Sequence, residues 1–551
     1  MKKLIRSLVI VAVAALAIVS CKNDKTPGNS KAVNQFVESH SYVCALADNA
    51  DLLAKIDIYS ILDDTALMTD PAFESLRAEL FEDAPEGMEA CFRDPSLAGL
   101  DAANPVLVSV SNVDPDEGAD VFVVISLSDR EKFVTLVNSL EDDEDEIALV
   151  KDEDGYYVNS DDELAIVVGE KAMVAYIPIE KKHGEKEVLA RAKAAIAKTS
   201  LLASLPGMEA FFTGEDDLAV WGNNERFYEL SRSELDKDLR KELGLGIEDL
   251  LGGDPAKGTA SLMTLNFRPG ELAMDTKNYG ENKIADRLGD WFGKPNMELL
   301  NYIPESSDVA GLIAFHNLSD AAAFAQDIMD KVPDLQGFKI KDLLPTVGLA
   351  LEDLDAIGTI AAGADVDDES IVVVAEVGEK IGGALGRTLG MAGMSSSSRN
   401  GWSVYNLDSD FRLLLGNGRI VLCSSKMASQ IAPSGYSGGL VFNSNPLSKD
   451  LVHGIVADLN APAIQRMIAE QLPEANDYIA SVRLNFPGDK AASLVLELDQ
   501  KNINAAKAVL LLCQAYLENQ HDRFNSDYEE DAEWSDYDFL MEPSTDDMMN
   551  W

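Results

Sequence analysis

The chain has 551 residues, with 95 Asp and Glu against 46 Lys and Arg, a formal charge of minus 49, and 46% hydrophobic residues. That apolar content supports packed cores over bulk disorder, and the length allows two to four domains. A field this negative excludes nucleic acid as a partner, because such binding draws its affinity from Lys and Arg replacing condensed counterions, and it disfavours adsorption of the folded body to anionic membranes.

Residues 1–20 read as a signal peptide: Lys2, Lys3 and Arg6 form a basic start, and Leu8 to Val19 is an uncharged apolar run. Twelve helical residues rise about 18 Å, short of the roughly 30 Å hydrocarbon core, so the run is too short to span a membrane. Ile18-Val19-Ser20-Cys21 follows, and this resembles the bacterial lipobox. The resemblance implies cleavage before Cys21 and acylation of that cysteine with several chains, which suffice for stable anchoring where one would be marginal. The membrane is therefore an expected partner through lipid on Cys21, and the mature chain would carry minus 52.

Residues 21–40, polar with Pro27 and Gly28, read as a flexible stalk. Beyond Cys21 the cysteines are Cys44, Cys91, Cys423 and Cys513, none in CxxC or zinc-knuckle spacing. An envelope location permits disulfides. Cys44 and Cys423 lie in apolar strand-like runs, however, and Cys513 in an apolar helix, so buried free thiols are the expectation.

Self-comparison suggests that residues 41–298 and 299–520 are two copies of one domain, the second shortened. Ala260 to Gly270 (ASLMTLNFRPG) matches Ala480 to Gly488 (ASVRLNFPG). Asp120 to Leu127, Gly155 to Val158 and Glu163 to Gly169 match Ser370 to Val377, Gly401 to Val404 and Phe411 to Gly416 in the same order, and Val43 to Ile56 matches Val309 to Phe324. Short β-branched runs recur within each copy, with tight hairpins expected at Gly169-Glu170 and Gly416-Asn417-Gly418, where glycine and asparagine accept positive φ. Asn460 is placed to cap a helix with Ile464, Met467, Ile468 and Leu472 on one face before Pro473, and Phe324, Ile328, Met329 and Val332 form a similar stripe before Pro333. The expected fold class is α+β, each copy a mostly antiparallel or mixed sheet with helices packed on one face.

Catalytic motifs are weak. Gly435-Tyr436-Ser437-Gly438-Gly439 matches the G-x-S-x-G pattern, but Pro433 leads in and a strand-like run leads out, where a nucleophile elbow needs a strand and then a helix. The five histidines (His40, His183, His316, His453, His521) have no paired or HExxH spacing. Gly382, Gly386 and Gly390 suit close packing of a helix rather than a phosphate loop. Acidic runs at Glu141 to Glu146, Asp152 to Asp154, Asp161 to Glu163 and Asp365 to Glu369 lack EF-hand spacing and read as solvated turns. No catalytic residue, metal site or cofactor is therefore assigned. Residues 521–551 hold eleven acids, one arginine and six aromatics, a composition that suits a disordered tail able to dock on a protein partner with a basic, partly apolar surface.

The lipobox, the stalk, the repeated region, Asp217-Leu218-Ala219-Val220-Trp221 before a helix and Tyr302-Ile303-Pro304-Glu305 at the start of the second copy resemble a family of Bacteroidota envelope lipoproteins known only as a domain of unknown function. The resemblance covers roughly residues 40–520 and brings no catalytic residues with it. Lys22-Asn23-Asp24 weakly resembles that group's surface-export signal, which leaves the periplasmic face and the cell surface both open. The expected function is a lipid-anchored envelope protein at the outer membrane with a non-catalytic binding or scaffolding role. The alternatives are a hydrolase or carbohydrate-processing enzyme using paired carboxylates, and a calcium-dependent surface adhesin.

Overall fold

The computed structural model describes residues 41–48, 95–114, 118–139, 148–198, 205–471, 478–488 and 491–509 (apart from 102, 103, 182 and 336), together with Val37, Leu52, Lys55 and Leu512. The signal, the stalk with Cys21, Cys91, Cys513, the Glu141 to Glu146 run and the acidic tail lie outside the described residues.

In chain order the first half contains β1 (Ser41–Ala47), β2 (Val106–Asp114), β3 (Gly118–Ser126), α1 (Arg130–Asn138), β4 (Val150–Lys151), β5 (Tyr157–Ser160), β6 (Ala165–Val168) and β7 (Ala172–Ile179). It continues with α2 (Glu185–Ile196), α3 (Met208–Thr213), β8 (Leu218–Asn223), α4 (Asn224–Leu243), α5 (Ile247–Leu251), β9 (Ala260–Arg268), β10 (Glu271–Tyr279) and α6 (Lys283–Gly289). The second half contains β11 (Val309–Ala314), α7 (Leu318–Lys331), α8 (Ile340–Leu343), β12 (Thr359–Asp365), β13 (Ser370–Glu376), α9 (Glu379–Met391), β14 (Ser396–Arg399), β15 (Trp402–Asn406), β16 (Phe411–Gly416) and β17 (Arg419–Ser424). A separate hairpin of β18 (Ile431–Ala432) and β19 (Gly435–Tyr436) precedes β20 (Gly454–Asp458), α10 (Pro462–Gln471), β21 (Ile479–Gly488) and β22 (Ala491–Leu498).

Twenty strands form one sheet in which every neighbouring pair is antiparallel, so the fold is α+β. Their order is β4-β5-β6-β7-β3-β2-β1-β8-β9-β10-β22-β21-β20-β11-β12-β13-β17-β16-β15-β14. Read inward from either end to the central β10–β22 pair, the ten strands on each side follow the same order of chain connections.

Helices cover both faces of the first half, which corrects the expectation of one covered face. Alternate residues of β3 enter two cores: Phe122 and Val124 pack beneath α2 with Val188, Ala192 and Ala195, whereas Val123 and Ile125 pack with Phe133, Val134 and Val137 of α1. A strand buried on both sides must read as a continuous apolar run, as Val121 to Ile125 does. In the second half, Leu312, Val372, Val374, Trp402 and Val456 share the larger core, and Tyr405, Leu413 and Leu415 pack beneath α9.

Local chemistry fixes several joints. Asn417 (φ 54°) and Gly418 (φ 69°) make the β16–β17 turn with both central residues left-handed, the geometry that matches strand twist. The β6–β7 hairpin closes at Gly169-Glu170 without positive φ, held by Gly169 N–H on the Ala172 carbonyl. Asn460 does not cap α10. The helix begins at Pro462, so Ala461 holds the cap position, its carbonyl accepting the Gln465 N–H, while the Asn460 side-chain amide donates to Asp499. Met467 on that helix points to solvent. Ile468 and Leu472 lie outside the residues whose side chains are described. Among the described residues no helix is long and apolar enough to cross a membrane.

Candidate functional site

The site is best built from the alternation of the central strands. Cross-strand partners share a face, so the register places Leu218, Leu265, Met274, Leu494, Leu484 and Ile455 in one row on a single side of the sheet. In the first half this side is covered. Phe267, Leu265, Leu218, Leu272 and Leu498 pack against Ile503, Ala505, Ala506, Ala508 and Val509, and Phe267 is only 8% exposed. The cover is fastened by backbone, with Gly270 N–H on the Ile503 carbonyl and the Asn504 amide on the Phe267 carbonyl.

In the second half the same side is covered by α9 farther out, where Tyr405, Leu413 and Leu422 pack, but over β11, β20 and β21 no described residue buries it. Ile455 is 55% exposed, Leu484 36% and Phe486 50%, and Ile313 also reaches solvent. The aromatic end of this strip is built on a histidine. Phe292 stacks on Phe315 and sets its edge against His453, both at 6.2 Å between ring centroids. The buried His453 ring accepts the Ala314 N–H at Nδ1 and faces the Gly293 carbonyl with Nε2. It therefore supports the end of β11, with both ring nitrogens engaged by the backbone.

The buried carboxylates are each matched to cations. Asp120 Oδ1 accepts from Tyr176 at 2.9 Å and lies 3.1 Å from Lys181, while Oδ2 accepts from Asn112 at 2.8 Å and Arg191 at 2.9 Å. Burial pushes this carboxyl up, but the hydrogen bonds from Asn112, Lys181 and Tyr176 and the Lys181 charge outweigh it and leave it below the usual range. Burial and the adjacent carboxylate raise the Tyr176 hydroxyl well above its ordinary value. Asp217, in the Asp217-Leu218-Ala219-Val220-Trp221 segment, pairs with Lys55 at 2.5 Å and accepts the Phe267 N–H at 2.7 Å. Neither arrangement is a facing carboxylate pair of the kind a glycosidase needs.

Other sequence candidates resolve individually. Ser437 donates to the Gln430 carbonyl at 2.8 Å beside the β18–β19 hairpin, where no helix follows to hold it as a nucleophile. Of Gly382, Gly386 and Gly390 on α9, only Gly386 lies against neighbouring elements, at Tyr405 and Leu415; a Cβ at Gly382 or Gly390 would meet open space, which corrects the expected glycine packing stripe. Lys193 bridges Asp152 and Asp154, Asp161 caps its own turn at Glu163 and Leu164, and Asp367 and Asp368 pair with Arg466 and Lys426. Cys44 and Cys423 are free, buried thiols; burial pushes Cys44 up to about 11 and Cys423 up to about 12.

The exposed strip was missed in the sequence. Its signal was available in Val482-Arg483-Leu484-Asn485-Phe486, which alternates as cleanly as its counterpart Met263-Thr264-Leu265-Asn266-Phe267, where Leu265 and Phe267 are covered and Met263 is exposed. Coverage depends on what packs above a strand, which alternation does not carry.

Solved structures of crystal forms III, IV and I of TP0453 are similar to this chain at 14%, 13% and 12% identity. They cover 45%, 45% and 46% of it and 80%, 83% and 80% of their own chains, with TM-scores of 0.24, 0.24 and 0.23, too low to assign a shared fold. No curated protein matches. A family model described as domain of unknown function DUF4836 matches residues 37–319, just over half of the chain, and the chain belongs to that family.

Proposed function

We propose that this is a lipid-anchored cell-envelope protein with a binding or scaffolding role, built from two tandem copies of one α+β domain, that offers the bare face of β11, β20 and β21 to a partner. The observation that carries the binding role is the strip of Ile313, Ile455, Leu484 and Phe486, because contiguous exposed apolar surface on a folded body marks an interaction site. The duplication reading is supported by the common strand order of the two halves and by the Leu-Asn-Phe triplets 265–267 and 484–486 at corresponding strands. The anchor rests on the lipobox-like Ile18 to Cys21 and the short apolar run before it.

Photo-crosslinking in intact cells tests the binding role. A photoreactive residue at position 455 is expected to give a discrete adduct that the same probe at Met391, 74% exposed on α9, does not give. Equal labelling from both positions would count against a dedicated face. Cys21→Ala is expected to move the protein from the membrane fraction to the released fraction; retention would refute the anchor.

A further inference from the structure

We propose that the cleft between α9 and the 3-10 turn Leu344–Val347 binds a fatty-acid-like monocarboxylate, with the carboxylate on Arg387 and the apolar chain along the cleft. This site is separate from the β11–β20–β21 face and stands whether or not that face takes a partner.

The cleft follows from how α9 is packed. Leu385 and Leu389 rest the helix on the sheet against Tyr405, Leu413 and Leu415. Where α9 meets the turn that follows α8, the two elements stand apart around an open cleft of about 620 Å³. That lies within the roughly 300–1,000 Å³ usual for small-molecule sites. Glycines keep it open. Gly348 ends the turn at φ 78°, a conformation that favours glycine, and a Cβ there would meet Arg387 Nη2 at 3.0 Å. A Cβ at Gly383, four residues before Arg387 on the helix, would lie 3.6 Å from Nη1. The guanidinium therefore has room because two glycines flank it. Gly390 also lines the cleft, and a Cβ there would meet nothing within 4 Å.

The lining names the ligand. Pro345, Val347 and Met391 supply apolar surface, and Met391 is 74% exposed. Thr346 commits its hydroxyl proton to the Leu343 carbonyl at 2.6 Å. Arg387 is the one charged residue of the lining. Lys380, on the same helix, is held by Asp353 at 2.5 Å, whereas among the described residues Arg387 has the Val347 carbonyl at 3.4 Å and no carboxylate. A guanidinium without a counter-ion beside an apolar wall is complementary to a ligand with an anionic head and an apolar chain. Its planar fork matches a carboxylate through two parallel hydrogen bonds. One positive charge also selects the head group. A phosphate monoester carries roughly minus 1.5 to minus 2 at neutral pH and would leave charge unmatched in a chain already at minus 49.

The test uses the full mature chain produced without lipid, titrated calorimetrically with dodecanoate, dodecyl phosphate and dodecyltrimethylammonium, each below its micelle concentration. The variants are Arg387→Gln, Gly390→Leu and, as a control that removes the same charge from β14, Arg399→Gln. Gly390→Leu places a side chain where the cleft is now empty and exchanges a helix glycine for a better helix former, so it should not lower the thermal midpoint. Dodecanoate is expected to bind the parent and Arg399→Gln alike, and Arg387→Gln and Gly390→Leu at least tenfold more weakly. The phosphate and the ammonium should bind the parent at least tenfold more weakly than dodecanoate does. Bound dodecanoate should also slow oxidation of Met391 by hydrogen peroxide. No binding of dodecanoate to the parent would overturn the proposal. So would equal affinity for the parent and both cleft variants, which would mean adsorption elsewhere, or equal weakening in Arg399→Gln, which would mean that net charge governs. Tighter binding of dodecyl phosphate would overturn the choice of head group. Because the ligand is small, position 391 remains a control for protein cross-linking.

Discussion

Replacing the two corresponding phenylalanines one at a time separates a covered platform from a bare one. Phe267→Ala removes a phenyl ring that is 8% exposed beneath residues 503–509, and deletions of this kind cost about 3–5 kcal/mol through lost transfer energy and the cavity left behind. Phe486→Ala removes a ring that is 50% exposed, so no enclosed cavity forms. Half of the roughly 1.5–3 kcal/mol for burying such a side chain is about 1 kcal/mol. Native-state hydrogen exchange read by mass spectrometry reports opening of each strand separately. At about 1.4 kcal/mol per decade, protection of β9 amides should fall by roughly two to three and a half decades in Phe267→Ala, and that of β21 amides by less than one in Phe486→Ala. Equal losses at the two strands would refute the reasoning, because they would mean that Phe486 is buried as deeply as Phe267.

Two further outcomes follow from the buried polar groups. Asp120→Asn leaves Lys181 and Arg191 facing a neutral amide and should cost about 3–5 kcal/mol in a denaturant titration, as breaking a buried pair does. Because the folded Asp120 carboxyl is held below its unfolded value of about 3.9, its stabilisation is complete above that pH and is lost as pH falls through the folded value; the variant should lack this part of the acid transition. Cys44 and Cys423, raised to about 11 and 12, should stay unalkylated at pH 8 in the native protein and react fully in denaturant, read on the peptides that contain them. Labelling of either thiol in the folded chain would contradict its burial.

The α+β class and most strands were legible because β-branched alternation and glycine turns are local signals: Phe411 to Gly416 and Arg419 to Ser424 are strands joined by the Asn417-Gly418 turn that their sequence specifies. Burial of Cys44 and Cys423 was legible for the same reason, since each lies in an apolar run. Helix placement was not. Val188 and Phe133 stand on similar amphipathic helices that cover opposite faces, and the face is decided by chain crossings that periodicity does not encode. Met467 fitted an apolar stripe and yet is exposed, because a helical stripe records the chance to pack and not the presence of a neighbour. The Asp120 cluster draws its members from positions 112, 120, 176, 181 and 191, which only the β2–β3–β7 register brings together.

Oxidative footprinting of the same protein, purified and in intact cells, tests most directly the claim that the second platform is bare in isolation and covered in use. The account predicts that purified protein is modified strongly at Phe486 and weakly at Phe267, and that Phe486 alone becomes protected in cells. Equal modification of Phe486 in both settings would contradict a docking role for this face.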